Sequence, residues 1–243
     1  MRNFFTVLGG MGTTATESFI HGVNTRVEAH KDQDWPNYLV FNHASMPDRT
    51  AYITGESDVS PVPELLEDIR QADALGTDFI VLTCNTAHYF YDELQNATQK
   101  PILHMPHIAV EALAKLSRDN EPIHRVGLLA TVGSMKAGVY EREITRAGYE
   151  FVAPEPQLQA RITSLIYDDV KGNNGLNEAR YIRVLHDMLY KHNLDAVILG
   201  CTELSVLNEH FPRPELNVID AQLETIYKTI ELSTASALAS ASR

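Results

Sequence analysis

The sequence predicts an α/β fold: two pseudo-symmetric, three-layer αβα lobes with mainly parallel sheets, facing one another across a cleft. Three observations carry that prediction. Strand-length apolar runs alternate with longer amphipathic segments, which is the pattern of βα units. The chain repeats itself weakly, with two pairs of matching segments in the same order. Its only two cysteines each close an apolar run, at places the repeat makes equivalent.

In chain order, the candidate strands are 4–8, 38–42, 79–83, 101–104, 126–130, 149–152, 196–199 and 217–219. Helical periodicity runs over 63–75, 107–117, 134–147 and 177–191. In 63–75 (PELLEDIRQADAL) apolar residues recur at steps of three and four, which gathers them on one helix face. Pro63 suits the first turn, where its missing N–H costs nothing. The repeat aligns Asp78–Cys84 (DFIVLTC) with Asp195–Cys201 (DAVILGC), and Leu8–Thr13 (LGGMGT) with Leu129–Ser134 (LATVGS), at nearly equal offsets. One such match arises easily by chance; two in the same order indicate related lobes. The stretch 44–62, rich in Pro, Gly, Asp and Ser, reads as a mobile lid or an ordinary surface excursion. The C-terminal STASALASASR reads as a fraying helix end or a tail.

A length of 243 residues allows one large domain or two small ones, and the formal net charge is −12. That charge disfavours nucleic acid and anionic membranes, both of which need clustered Lys and Arg. No apolar run approaches the roughly 18–20 residues that span a bilayer. The N-terminal MRNFFTVLGGMG lacks the long apolar region of a signal peptide. A cytoplasmic location is therefore expected, where two cysteines do not favour a structural disulfide.

The stretch VLGGMGTTATESF follows the first strand and opens a helix. Gly10 to Ala15 satisfies G-x-G-x-x-A formally, the fingerprint of a dinucleotide site. That fingerprint also wants an acid at the end of the second strand, which here ends in Asn42 and His43; Asp32 and Asp34 precede the strand. A dinucleotide-dependent oxidoreductase is thus a remote alternative. The physical use of the loop survives, since glycines and a helix N-terminus suit a carboxylate as well as a phosphate. A plain tight turn would use the same residues.

A single buried cysteine is ordinarily inert packing. Here each one ends an apolar strand and precedes helix-starting residues, Asn85 and Thr86 in one case and Thr202 in the other. The positive end of a helix lowers a thiol's pKa. Zinc would need four ligands, and neither C-x-x-C nor H-E-x-x-H occurs, so no metal is expected. His88 reads as a hydrogen-bonding partner or an exposed residue rather than a ligand. His104 and His107 belong to a strand end and a helix start. Two thiols opposed across a cleft suit proton removal from one face of a carbon acid and delivery to the other. A non-catalytic amino-acid-binding module is the alternative of another class.

The glycine loop LGGMG, the motif TCNTAH and the motif GCTEL together resemble the cofactor-independent aspartate/glutamate racemase superfamily, and aspartate racemases in particular. The resemblance covers nearly the whole chain in motif order. It implies two lobes, 1–103 plus 211–243 and 104–210, with the active site in the cleft between them and neither pyridoxal phosphate nor metal. It implies that Cys84 and Cys201 are the acid/base pair. Asn85, Thr86 and Thr202 match residues that hold the α-carboxylate and α-amino groups, while Met11 and Thr131 match further pocket residues. Arg49, in MPDRT, and Lys171, in IYDDVKGN, match cations that meet a distal carboxylate, which points to aspartate as substrate. Without the resemblance, both would read as solvated surface charges. The alternatives within the superfamily are racemisation of glutamate or other amino acids, or isomerisation of a related dicarboxylic acid. A homodimer is also implied.

Overall fold

The structure is a computed structural model that describes residues 1–116, 122–172 and 174–241. Strands β1 (Phe4–Gly9), β2 (Asn37–Asn42), β3 (Ile80–Leu82) and β4 (Ile102–Leu103) form one parallel sheet in the order β2-β1-β3-β4. Strands β5 (Arg125–Ala130), β6 (Glu150–Val152), β7 (Ala196–Gly200) and β8 (Val218–Asp220) form a second in the order β6-β5-β7-β8. The two orders are the same once the halves are superposed in sequence. The repeat is therefore structural: β1 answers β5, and β3, which leads to Cys84, answers β7, which leads to Cys201.

Among the described residues, eleven α-helices connect and cover these strands: α1 (Thr13–Arg26), α2 (Arg49–Thr54), α3 (Val62–Leu75), α4 (Tyr91–Asn96), α5 (Met105–Ala112), α6 (Val132–Ala137), α7 (Val139–Arg146), α8 (Pro156–Ser164), α9 (Glu178–His186), α10 (Thr202–His210) and α11 (Ala221–Ala241). Four expected helical segments are present with local changes. The segment 134–147 breaks in two because Gly138 adopts φ 63°, a left-handed conformation that ends α6 before α7 begins. The 107–117 segment holds α5 and a 3-10 turn at Leu113–Lys115; residue 117 lies outside the described residues. Two π-helical stretches, Leu165–Lys171 and Asp187–Lys191, continue α8 and α9. The excursion 44–62 is not all loop, since α2 lies within it and packs against α6 of the other half. The C-terminal small-residue segment continues α11 to Ala241, and 242–243 lie outside the described residues.

Each sheet covers both faces of its central strands, which is why those strands read as continuous apolar runs, while the edge strands β2 and β6 are partly exposed. On β7, Val197 and Leu199 join one core while Ala196 and Ile198 join the other, the period-two alternation of a strand. On β1, Leu8 faces one core and Phe5 and Val7 face the opposite one. The last helix of each half crosses over. Met105, Ala109 and Val110 of α5 pack into a core of the second sheet. Ile226 of α11 packs with Phe5, Phe19 and Val81 of the first. Residues 211–220, expected with the first lobe, instead carry β8 into the second sheet, where Val218 to Asp220 pair with Val197 to Leu199. Asp220 then caps α11 by accepting from the Gln222 and Leu223 N–H groups at 3.0 and 3.1 Å. The crossing of the chain back to the first half thus begins at Ala221.

Among the described residues, no helix is long and apolar enough to cross a membrane. His104 caps α5 by accepting from the His107 N–H at 3.1 Å, and its ring meets Tyr91 edge-on at 4.3 Å. Burial, reinforced by His88, His107, Arg146 and Arg142, pushes its pKa from 6.5 down to about 3.

Two outcomes are expected. Ile226→Ala removes the crossing helix's anchor and lowers unfolding stability by about 2–5 kcal/mol in urea denaturation. The second concerns acid. Between pH 6.5 and about 3 the unfolded chain takes up a proton at His104 that the folded chain refuses. Stability therefore falls as pH drops through that window. His104→Asn, which keeps a capping acceptor, flattens the fall in thermal melts recorded across it.

Candidate active site

Both cysteines sit at the carboxyl ends of central strands, where ligands bind in open α/β sheets. Cys84 follows β3 and precedes a 3-10 turn, Thr86–Phe90; Cys201 follows β7 and is the N-cap residue of α10. One small, nearly closed cavity takes in both, with both cysteines buried. Its walls include every residue named from the sequence: Met11, Arg49, Cys84, Asn85, Thr86, Thr131, Lys171, Cys201 and Thr202. Four further residues line it: Asp48, Thr50, Tyr167 and Glu203. A wider pocket opens beside it between the glycine loop, α2 and Lys171.

Local structure fixes each part. Gly10 adopts φ 81° and lies so close to His43 that a Cβ there would meet its backbone at 2.5 Å. Thr16 ties the loop down, receiving the Gly10 N–H at 3.0 Å and reaching Thr83 Oγ1 at 3.2 Å, one residue before Cys84. A Cβ at Gly12 would lie 2.6 Å from Glu203 Oε1. The glycine loop does approach a carboxylate, and it is the protein's own. His88 is buried. Its Nε2 accepts from the Met105 N–H at 3.1 Å, so its Nδ1 carries the proton and donates to the Cys84 carbonyl at 3.0 Å. Burial lowers its pKa, which keeps it neutral in that role. His88 is thus a hydrogen-bonding brace, one of the two readings its sequence setting allows.

The halves meet through hydroxyls. Thr86 Oγ1 lies 3.1 Å from Thr131 Oγ1 and 2.8 Å from Ser134 Oγ, and Thr131 accepts from the Ser134 N–H at 3.0 Å. Asn85 accepts through Oδ1 from the fully buried Tyr140 hydroxyl, which leaves its Nδ2 without a partner. Arg49 is buried. Its guanidinium donates to the carbonyls of Met46, Pro47 and Met11 at 3.2, 2.8 and 3.0 Å, so its fork is engaged by backbone, and Nε alone is unpartnered. It clasps the glycine loop to the 44–62 excursion.

Glu203 organises the other wall. Its Oε2 accepts from Cys201 Sγ at 2.9 Å and from Thr202 Oγ1 at 3.3 Å; its Oε1 stands 3.6 Å from Lys171 Nζ and accepts no hydrogen bond. Burial pushes the Cys201 thiol well above its ordinary pKa, and Glu203 pushes it further while Lys171 opposes. The thiol-lowering expected from the helix N-terminus is overridden there, because desolvation and an adjacent carboxylate outweigh a partial helix charge. Burial disfavours the charge on Lys171, but Glu203, the two cysteines and Tyr167 together raise its pKa. Lys171 ends the π-helical stretch, 4.9 Å from the centre of the Tyr167 ring. Such wide turns occur often at functional sites.

Glu203, Ser134, Tyr140 and Tyr167 were not named from the sequence. Glu203 had a usable signal, an acid two residues past a cysteine at a helix start, but an acid in a first helical turn has an ordinary electrostatic explanation. Tyr167 and Tyr140 had none, since their place depends on the π-helical stretch and on the break at Gly138.

The Asp/Glu/hydantoin racemase family matches residues 8–227 of the chain. The chain is similar to the broad specificity amino-acid racemase RacX of Bacillus subtilis, at 25% identity over 220 residues, which is 88% of this chain and 91% of that one. It is similar to glutamate racemase of Persephonella marina at 26% identity over 163 residues, 66% of this chain and 60% of that one. Among solved structures, the Picrophilus torridus aspartate racemase superposes with a TM-score of 0.77 and 26% identity over 94% of each chain. Both cysteine motifs and all eight strands but the first residues of β1 fall inside the matched span, on a fold of the same construction, and the chain belongs to the Asp/Glu/hydantoin racemase family.

Proposed function

We propose that this chain interconverts L- and D-aspartate without a bound cofactor, with Cys84 and Cys201 working on opposite faces of the α-carbon. One observation carries the reading. Three residues that line the cavity holding both thiols each carry a buried polar atom without a hydrogen-bond partner: the donors Asn85 Nδ2 and Arg49 Nε, and the acceptor Glu203 Oε1. A buried unpartnered group costs about 1–3 kcal/mol, so it wants a ligand. Two donors and an acceptor complement a zwitterion, with carboxylate on one side and ammonium on the other.

The chemistry follows from that placement. One cysteine, as thiolate, takes the α-proton. The electron pair left on carbon spreads into the α-carboxylate as an enediolate. The opposite thiol gives its proton to the other face, which inverts the centre and exchanges the roles of the two sulfurs. The α-hydrogen of an ammonium carboxylate is far too weakly acidic for a thiolate alone. Donors preset around the carboxylate, such as Asn85 Nδ2 and the Thr86–Thr131–Ser134 hydroxyls, lower the barrier where charge develops. Lys171 offers the charge for a distal carboxylate.

The relatives leave room for a second reading, racemisation of glutamate or of a broader range, since RacX is described as of broad specificity. Lys171 discriminates. Lys171→Met should raise KM for aspartate roughly tenfold or more, about 1.4 kcal/mol, and spare an apolar amino acid. A broad enzyme loses little on either.

The direct test is incubation with L-aspartate in D₂O under reducing conditions without added cofactor. Deuterium should enter the α-position as D-aspartate forms. Cys84→Ser and Cys201→Ser should each lower the rate at least ~100-fold, the scale of a lost acid/base group. Full activity in both variants would sink the mechanism.

A further inference from the structure

Glu203 touches the second thiol directly, and that contact has a direction. Its Oε2 lies 2.9 Å from Cys201 Sγ, inside the buried wall of the cavity. A carboxylate only accepts, so the hydrogen bond exists only while Cys201 keeps its proton. No equivalent carboxylate touches Cys84 among the described residues: its repeat-equivalent neighbour, two residues on, is Thr86, a hydroxyl already engaged with Thr131 and Ser134. The pseudo-symmetric site is therefore electrostatically lopsided.

We propose, on the racemase reading above, that Glu203 is a positioning residue that holds the resting proton on Cys201 and so leaves Cys84 to start as the base. The charged and titratable groups facing the pair are Lys171 and Tyr167 from the 165–171 stretch, Cys84 beyond β3, Asp48 at the N-cap of α2, Arg49 of α2, and Tyr140 of α7. Arg49 spends its fork on carbonyls, which leaves Lys171 as the cation that balances Glu203. Gly12 belongs to the same device, because any side chain there would displace the Glu203 carboxylate.

The consequence for turnover is specific. After one reaction Cys84 holds the proton, and a Cys201 thiolate faces the Glu203 carboxylate. That form is disfavoured, and the proton returns to Cys201. The free enzyme is then mostly in the form that accepts one enantiomer. The two enantiomers are equally stable, so kcat/KM is the same in both directions at any pH. The imbalance shows in kcat and KM taken separately.

The test titrates Cys201 in the Cys84→Ser protein by its ultraviolet thiolate absorbance, which needs neither substrate nor turnover. Replacing Glu203 by Gln there should lower the Cys201 midpoint by about one to three units, the usual effect of one adjacent charge. Gly12→Ala, which pushes the carboxylate aside, should lower it too and serves where the Gln variant fails to fold. In the two-cysteine enzyme, Glu203→Gln should draw the KM values for L- and D-aspartate several-fold closer, while kcat/KM stays equal in the two directions. A Cys201 midpoint that stays put or rises in these variants overturns the proposal. If the unaltered protein exchanges no α-hydrogen, the racemase reading falls, while the thiol titration still judges Glu203.

Discussion

The site depends on one constraint of packing. A four-stranded parallel sheet must bury both faces, and neither half of this chain covers its own sheet completely. Each half sends its last helix across: α5 completes a core beneath the second sheet, and α11 completes one beneath the first. Two sheets locked in this way present the carboxyl ends of β3 and β7 to a common space. The thiols that terminate those strands therefore share one cavity, although more than a hundred residues separate them in the chain. Burial of a full Leu- or Ile-sized side chain contributes about 1.5–3 kcal/mol, which α5 supplies through Met105 and Val110 and α11 through Ile226, with Ile230 and Leu232 partly buried beside it.

Within that frame the cavity is made by polar groups that leave one another incompletely satisfied. Thr86, Thr131 and Ser134 close a hydroxyl cluster between halves, and Arg49 spends three contacts on carbonyls. What remains unpartnered is small and complementary, two donors and one acceptor. Their desolvation is a standing cost that a zwitterionic ligand would relieve. The same burial makes the Lys171–Glu203–Cys201 chain consequential, since charges taken out of water act strongly on neighbours. A symmetric backbone thus carries an asymmetric charge arrangement.

The fold was largely legible. Each candidate strand is a strand; the central ones, β1, β3, β5 and β7, are almost wholly buried and so write themselves as continuous apolar runs. The helical segments were legible by period, but their interruptions were not. Gly138 breaks one helix through its own left-handed conformation, a choice glycine permits but does not dictate. The π-helical stretch at 165–171 left no mark in the pattern LIYDDVK, and it is what brings Tyr167 and Lys171 to the cavity. Arg49 shows the same limit in the site itself. Its presence there could be inferred, but not that its fork would be filled by carbonyls.

The sequence by itself determined the two-lobed α/β architecture, the equivalence of the cysteines and the residues that would gather around them. The first two rest on local patterning and on a repeat, both of which survive in one dimension; the gathered residues rest on the resemblance of three short motifs to a known family. Only the tertiary structure decided that β8 joins the second sheet, that the Cys201 thiol donates to Glu203, and that Gly12 leaves room for that carboxylate. Those are relations between groups brought together by the crossing of the chain. Their energies depend on distance and on the water excluded around them, and neither quantity is written in the order of residues.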